Sequence, residues 1–183
     1  PVTVDPTYAT TSGYANFDTF VQEGYSSDQS ASTELKAGTY DGSTVARSFL
    51  NFPRSAFSPY KIMSATLEIY ETWSYSCTQK PIYVYSVTGN ASTATRWTAQ
   101  PTIAASSSGS ATVARGYSSS CTAGRIGIPM TALAQTWAAS SATTVTLALR
   151  ASETDVYGWK KFASLETSTD PYWTDRDLLR APA

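Results

Sequence analysis

Short runs in which apolar and polar residues alternate are the feature that most limits how this 183-residue chain can fold. In such a run successive side chains point to opposite faces of a strand, so one face can be buried and the other solvated. Clusters of Gly, Ser and Pro separate the runs. This pattern predicts an all-β fold, an antiparallel β-sandwich or jelly roll. The residues predicted to face its core are Ala65, Leu67 and Ile69; Ile82 and Val84; Val145, Leu147 and Leu149; and Leu50 and Phe52.

One segment, "IPMTALAQTWAASS", follows a helical period instead. Met130, Leu133, Ala134 and Trp137 recur at i, i+3, i+4 and i+7, which is the spacing of one face of an α-helix. Pro129 suits a first helical turn. The pattern predicts one short helix near residues 129–138, packed across one end of the sandwich with Trp137 in the core.

The length and the alternating segments together predict one module over residues 1–183. The predicted core covers about 17–173. The ends, 1–16 and 174–183, have no clear alternation and are predicted to be linker-like.

Charge and hydropathy exclude two classes of partner. Charged residues make up 15% of the chain and the formal net charge is −1, with no basic run longer than Lys160-Lys161. Nucleic-acid binding needs a concentrated positive face, so none is expected. No apolar stretch approaches the ~18 residues of a membrane span, so we expect no membrane insertion. We also expect a monomer.

The chain has two cysteines, Cys77 and Cys121, and no histidine. A zinc site or a catalytic thiol would need histidine or further cysteines, and no Cys-x-x-Cys redox motif is present. A disulfide or two buried thiols remain. Both cysteines lie in polar Ser- and Tyr-rich turns, which favours the disulfide. It would contribute roughly 3–4 kcal/mol and place the protein in an oxidising compartment, so we expect secretion.

The residue content also argues against catalysis. Without histidine, the Ser-His-Asp and Cys-His constellations cannot form. A glycosidase needs only two carboxylates, but Glu68 and Glu71 are expected to face solvent at a strand end, and "ASETD" reads as a turn. A lyase that uses Tyr with Lys or Arg, from "YGWKK", is the remaining minor alternative. We expect no enzymatic activity.

The segment "DVYGWKKF" carries the first candidate ligand-binding residues, Tyr157, Trp159 and Lys161. If Phe162 faces inward, alternation sends these three side chains outward. Two rings two residues apart on one face stand ~6.5–7 Å apart, close to the length of one sugar unit. The same register would bury Lys160, which we do not expect, so a bulge should shift part of the register.

Three further residues complete the candidate set. Arg150 could stand beside Tyr157 and Trp159 on a neighbouring strand, and Trp73 with Tyr75 forms a second candidate pair beside Cys77. Aromatic rings stack on the C–H faces of sugars, and planar polar groups hydrogen-bond sugar hydroxyls. For any single ring, however, packing in a β core is the commoner role.

No cofactor is expected. Secreted sandwich modules often carry a structural calcium ion, so such an ion stays an open alternative. The polar N-terminal loops hold Asp18, Asp28 and Asp41, but their spacing matches no calcium-loop motif. We expect these carboxylates to be solvated.

A series of motifs runs along most of the chain, from about Asp18 to Trp173. In order they are "DTFVQEGYSS", "ARSFLNF", "KIMSATLEIYE", "SYSC", "TRWTAQPT", "RGYSSSC", "GIPMTALAQTWA", "TLALRASETDVYGWKKFAS" and "DPYW". Their order resembles the DNRLRE family, secreted bacterial β-sandwich modules related to carbohydrate-binding module family 96, and the two cysteines are similar to an actinobacterial variant. One departure is the charged, irregular ending "PYWTDRDLLRAPA", where such modules have an alternating strand.

This resemblance implies a noncatalytic module carried by a larger secreted or surface protein. Its partners would be that parent chain and a polysaccharide or cell-surface glycan. The alternative function is a structural or adhesive spacer without a glycan ligand. A row of solvent-exposed rings would separate the two functions.

Overall fold

Twelve strands, one α-helix and two short 3-10 helices make up the part of the chain that the computed structural model describes, residues 8–57, 61–167 and 172–179. The 3-10 helices cover Arg54–Phe57 and Val156–Gly158, and the helix α1 covers Thr131–Ala138. The strands are β1 (Tyr8–Tyr14), β2 (Phe17–Gln22), β3 (Glu34–Thr39), β4 (Val45–Pro53), β5 (Lys61–Ile62), β6 (Thr66–Ser74), β7 (Lys80–Thr88), β8 (Thr102–Val113), β9 (Gly124–Pro129), β10 (Thr144–Arg150), β11 (Lys160–Ala163) and β12 (Tyr172–Leu179).

The strands form two sheets in which every described pairing is antiparallel. In the first sheet β6 lies at the centre, with β9 on one side and with β12 and β11 on the other; β12 also pairs β1 and β5, and β11 pairs β3. The second sheet has the order β2-β4-β10-β7-β8. The end of β3 also pairs the start of β4, which links the sheets. This arrangement confirms the predicted all-β fold and is consistent with a sandwich or jelly roll.

The core lies between the inner faces of the two sheets. Leu67 and Ile69 on β6 and Leu147 on β10 are completely buried, as the alternation predicts. The register of the central strands was therefore predicted correctly. The other residues predicted to face inward are also buried: Ala65, Ile82, Val84, Val145, Leu149, Leu50 and Phe52.

Helix α1 closes one end of this core. Met130, Leu133, Ala134 and Trp137 are all buried, which confirms the predicted apolar face. The helix begins at Thr131, two residues after the predicted start at 129. The reason is that the Met130 N–H donates to the Ala65 carbonyl at 2.8 Å and so still belongs to the sheet edge.

The ends differ from the prediction. Segments 1–16 and 174–183 were predicted to be linker-like, but the first contains β1 and the second contains most of β12, and the two strands are paired, with Ser12 opposite Thr174. Backbone hydrogen bonds hold these strands and need no apolar alternation, so the side-chain pattern did not reveal them. Residues 1–7 and 180–183 lie outside the described part of the chain. That residues 1–183 form one module stays a prediction.

Candidate functional site

Strand β11 sends two consecutive lysines to opposite faces of the first sheet. Lys160 is completely buried, and its Nζ lies 2.8 Å from Glu71 Oε1 and donates to the Val113 carbonyl at 2.7 Å. Phe162 is buried on the same face, while Lys161 is only half-buried. The expectation that a register shift would keep Lys160 out of the core was wrong, because the core contains a carboxylate to receive it.

The expectation that Glu71 faces solvent was also wrong. Glu71 is completely buried, on the face of β6 that carries Leu67 and Ile69. Burial raises the pKa of Glu71, because it disfavours the charged carboxylate; the charge and hydrogen bond of Lys160 and the Arg115 backbone N–H act in the opposite direction.

A β-bulge in β6 creates the outer surface beside this buried pair. Opposite β11, Phe162 pairs Glu71 and Lys161 pairs Trp73, so Thr72 is an extra residue. Regular alternation would put Trp73 on the same face as Glu71. The extra residue reverses the alternation locally, so that Glu71 is buried while Trp73 lies beside Lys161.

A groove of about 350 Å³ lies on this outer surface. Its lining residues are Glu34, Thr72, Trp73, Trp159 and Lys161. The Lys161 Nζ lies 3.1 Å from Glu34 Oε2, so an ion pair forms one wall beside the two indole rings. This combination of flat rings with a cation and an anion is the chemistry predicted for the site.

The groove continues into further aromatic rings. Tyr75 stands edge-on to Trp73, with ring centroids 6.1 Å apart, and edge-on to Tyr157 at 5.4 Å. Tyr157 is 49% exposed. Tyr40, which is 46% exposed, packs edge-on against Trp159 at 5.6 Å. The two candidate groups of the sequence analysis thus meet in one aromatic surface.

Trp159 does not project outward as alternation predicts, since only 4% of its surface is exposed. It lies between the 3-10 helix Val156–Gly158 and the first residue of β11, Lys160, so strand alternation does not extend to it. Asp155 caps the 3-10 helix by accepting from the Tyr157 N–H at 3.0 Å. Trp159 therefore supports the groove from below, and the more exposed rings surround it.

Arg150 was predicted to stand beside Tyr157 and Trp159, but its contacts lie on the second sheet. Its guanidinium stands 5.1 Å from the ring centroid of Tyr85 and 2.8 Å from Glu153 Oε1. Sequence order alone could not show this, because β10 pairs β7 and β4 rather than β11.

The disulfide between Cys77 and Cys121 is present, with a Cα–Cα distance of 5.6 Å. It joins the turn after Tyr75 to the loop that contains Gly116. An added Cβ at Gly116 would stand 2.1 Å from the Thr72 carbonyl oxygen, and the φ of Gly116 is +83°, so glycine is required there. The cross-linked loop is thereby packed against β6 at the groove.

Positive charge predominates around the groove. Lys36 is the cross-strand neighbour of Lys161 on β3. Burial lowers the pKa of Lys36, and the charge of Lys161 lowers it further, while Glu34 acts in the opposite direction. At the Tyr157 end, Lys80 donates to Asp155 at 2.7 Å and lies 5.9 Å from the Tyr157 ring centroid.

The three N-terminal aspartates that were expected to be solvated accept hydrogen bonds within the protein, and Asp18 is buried. The Thr44 hydroxyl donates to Asp41 at 2.7 Å and lowers its pKa most, and the Ser43 and Thr44 backbone N–H groups, which also donate to Asp41, lower it further. Asp18 accepts from the Leu165 N–H at 2.9 Å. Within the described ranges there is no group of three or more Cys, Asp or Glu side chains that could hold a metal ion. In the same ranges no helix is long and apolar enough to cross a membrane.

A β-sandwich with an aromatic groove flanked by charged groups has the chemistry that sugar binding needs. The model of carbohydrate-binding module family 96 matches residues 9–174. The chain belongs to this family, and the relation predicted from the ordered motifs is confirmed. The DNRLRE name and the actinobacterial detail stay predictions. A comparison with curated proteins finds no match.

Proposed function

We propose that this chain is a noncatalytic module that binds polysaccharide in the groove formed by Glu34, Thr72, Trp73, Trp159 and Lys161. Tyr75 and Tyr157 extend the groove. The module would attach a larger secreted protein to a polysaccharide or a cell surface. The observation that carries this proposal is the meeting of Trp73, Tyr75, Tyr157 and Trp159 beside one lysine–glutamate pair, in a chain of a carbohydrate-binding family.

The groove chemistry supports a hydroxyl-rich or acidic ligand. Trp73 and Tyr157 offer ring surface for sugar C–H faces, and the Lys161–Glu34 pair offers donors and acceptors for hydroxyls. Lys36 and Lys161 outnumber Glu34 at this surface, so a polycation such as chitosan is disfavoured. The chain has few charges to steer its partner, and we expect a weak affinity, roughly micromolar to millimolar.

The family and the disulfide support two further parts of the proposal, the noncatalytic role and the extracellular location. Modules of this kind are normally noncatalytic. Of the two glutamates at the groove, Glu34 is paired with Lys161, and Glu71 is buried beneath the groove in an ion pair with Lys160. The disulfide fits an oxidising, extracellular environment. A monomer, a parent chain and secretion follow from the same interpretation.

The test compares Trp73→Ala with Tyr14→Ala in native affinity gels that contain polygalacturonate, barley β-glucan or chitosan. Tyr14 is a matched control because it is a 58% exposed ring on the first sheet that does not line the groove. We expect the wild type and Tyr14→Ala to be retarded by polygalacturonate or β-glucan. Trp73→Ala should be retarded far less than the wild type, with an unchanged melting temperature.

Trp159→Ala should behave differently, because the ring is buried. We expect it to lose ~3–5 kcal/mol of unfolding free energy as well as binding. Equal retardation of the wild type and Trp73→Ala would overturn the groove as the site. If the wild type binds none of the polymers and no glycan on an array, the spacer function replaces this proposal.

A further inference from the structure

We propose a second glycan-binding platform on the outer face of the second sheet, formed by Tyr83 and Tyr85 with Arg150 beside them. This inference rests on the proposed function for the class of its ligand, a polysaccharide chain. Its residues are separate from those that line the groove. The module would therefore hold polysaccharide on two faces.

The two tyrosines have the spacing that the sequence analysis sought at Tyr157 and Trp159. Ile82 and Val84 on β7 are buried in the core, so Tyr83 and Tyr85 share the outer face. Their ring centroids are 6.4 Å apart, close to the length of one sugar unit in an extended chain. The ring planes are tilted by 58°, which suits successive sugars that are rotated relative to each other.

Small residues flank both rings on the β8 side and Tyr85 on the β10 side. On the β8 side, Ser110 lies opposite Tyr83 and Ser107 lies opposite Tyr85, and both serines are exposed. On the β10 side, Ala148 lies opposite Tyr85. The two serines are too short to cover the rings, and their hydroxyls can hydrogen-bond a sugar stacked there. Both tyrosines are half-buried, Tyr85 because it packs against the apolar cluster that contains Ala148, and the part of each ring that faces β8 stays accessible.

Arg150 borders the platform in a fixed position. It lies opposite Tyr83 in the β10–β7 register, and its guanidinium stands over the Tyr85 ring. The Arg150 Nε donates to Glu153 Oε1 at 2.9 Å, and this bond holds the guanidinium in place. A held guanidinium is a preorganised donor for hydroxyl or carboxylate groups of a sugar.

A second arginine fixes Glu153 in turn. Arg47 donates to both Glu153 oxygens, at 2.8 and 3.0 Å, and its guanidinium stacks 4.9 Å from the Trp97 ring centroid. Burial acts to raise the pKa of Glu153, but the hydrogen bonds and charges of Arg47 and Arg150 outweigh it and hold this pKa below its ordinary value. The Glu153 carboxylate thus stays charged between the two arginines, and Arg47 in turn packs against the loop that carries Trp97.

The groove lies on the outer face of the first sheet and the proposed platform on the outer face of the second, and the two share no lining residue. One module can then bind two polysaccharide chains, or two distant stretches of one chain. Binding at one site raises the effective concentration at the other, and avidity of this kind reaches 10²-fold or more without new contacts. Weak single sites would in this way give firm attachment to a polymer.

The experiment uses Tyr83→Ala, with Tyr83→Phe as its matched control, because phenylalanine keeps the ring and removes only the hydroxyl. The wild type, both variants, Trp73→Ala and the Trp73→Ala/Tyr83→Ala double variant are compared with polygalacturonate and barley β-glucan. Affinity-gel retardation measures binding, and light scattering measures cross-linking of the polymer. Melting temperatures confirm that each variant is folded.

We expect the wild type and Tyr83→Phe to cross-link the polymer and both single alanine variants to lose cross-linking. Their apparent affinity should fall by on the order of 10²-fold, and the double variant should not bind. Wild-type behaviour of Tyr83→Ala in both measurements would overturn the second platform and leave the groove. Unchanged binding by Trp73→Ala with complete loss in Tyr83→Ala would overturn the groove and keep the platform. Absence of wild-type binding to both polymers would overturn both.

Discussion

Lys160 and Lys161 are chemically identical neighbours on β11, and each pairs with a glutamate, but the two pairs have opposite surroundings. The side chains of Lys160 and Glu71 expose 1% and 0% of their surface, whereas those of Lys161 and Glu34 expose 31% and 41%. Strand alternation alone separates them. The Lys160–Glu71 pair, here the inner pair, lies in the core. The Lys161–Glu34 pair, the outer pair, forms a wall of the candidate groove.

The difference shows what each pair can contribute. A buried pair is removed from water, so each charge depends on its partner, and removal of one leaves the other uncompensated. An exposed pair is screened by water and salt and stabilises little, but it can exchange its partner for a ligand. We infer that the inner pair supports the sheet beneath the groove, while the outer pair serves binding.

The largest effect should follow from Lys160→Met. It leaves the Glu71 carboxylate buried without its cation, and we expect a loss of ~3–5 kcal/mol in the free energy of unfolding near neutral pH. Lys161→Met is the matched control and should cost at most ~1 kcal/mol. Denaturant unfolding of the three proteins measures both values. Equal losses would contradict the separation of the two pairs.

The second prediction concerns the pH dependence of that loss. The pKa of Glu71 is raised in the folded protein above its ordinary 4.5. The stability linked to its protonation is therefore complete below about pH 4.5 and is lost as the pH rises through the folded pKa. Lys160→Met removes a charge that lowers the pKa of Glu71, so the folded variant should have a higher Glu71 pKa. The variant should therefore lose more stability as the pH rises, and over a wider pH range, than the wild type.

The stability gap between the wild type and Lys160→Met should accordingly widen from acid to neutral pH. Unfolding curves at a series of pH values measure it, with Lys161→Met as the reference for the other carboxylates. A gap that stays constant would mean that Glu71 is protonated in both proteins over the whole range. That result would also show that burial outweighs the Lys160 charge completely.

The same strand shows what could be predicted from the sequence. Alternation from Phe162 correctly placed Lys160 inward and Lys161 outward, and the cysteine content correctly indicated the disulfide. The inward placement of Lys160 was not expected because lysine is rarely buried without a partner, and its partner, Glu71, lies 89 residues away in sequence. No local pattern reveals a pair that only strand pairing brings together.

The candidate site was predictable only in part, because it too depends on strand pairing between segments that are distant in sequence. Tyr157 and Lys161 were found from one segment, and Trp73 and Tyr75 from another, but their union depends on the β6–β11 pairing. The bulge that turns Trp73 outward has no signature in its residue types. Tyr83 and Tyr85 were visible as an alternating pair, but their neighbours in the proposed platform, two serines in β8 and Arg150 in β10, are known only from strand pairing.

The third prediction tests how far the inner pair can be replaced as a unit. Replacement of both partners by apolar residues of similar volume, Lys160→Met with Glu71→Leu, removes both buried charges. We expect it to recover more than half of the loss seen in Lys160→Met, with a coupling free energy of up to about 3 kcal/mol. A double-mutant cycle of unfolding free energies measures it. Strict additivity would indicate that the two side chains do not act on each other.

The smallest effect on stability, and the most informative for function, should come from Lys161→Gln. Its exposed pair with Glu34 is screened, so the unfolding free energy should change by less than ~1 kcal/mol. In the proposed function the ammonium contacts an acidic ligand, so retardation by polygalacturonate should weaken and depend less on salt than in the wild type. Lys61→Gln, an exposed lysine on β5 outside the groove, is the matched control and should behave as the wild type. Equal weakening by both variants would show that polygalacturonate responds to the overall charge of the module, and the outer pair would then have no part in recognition.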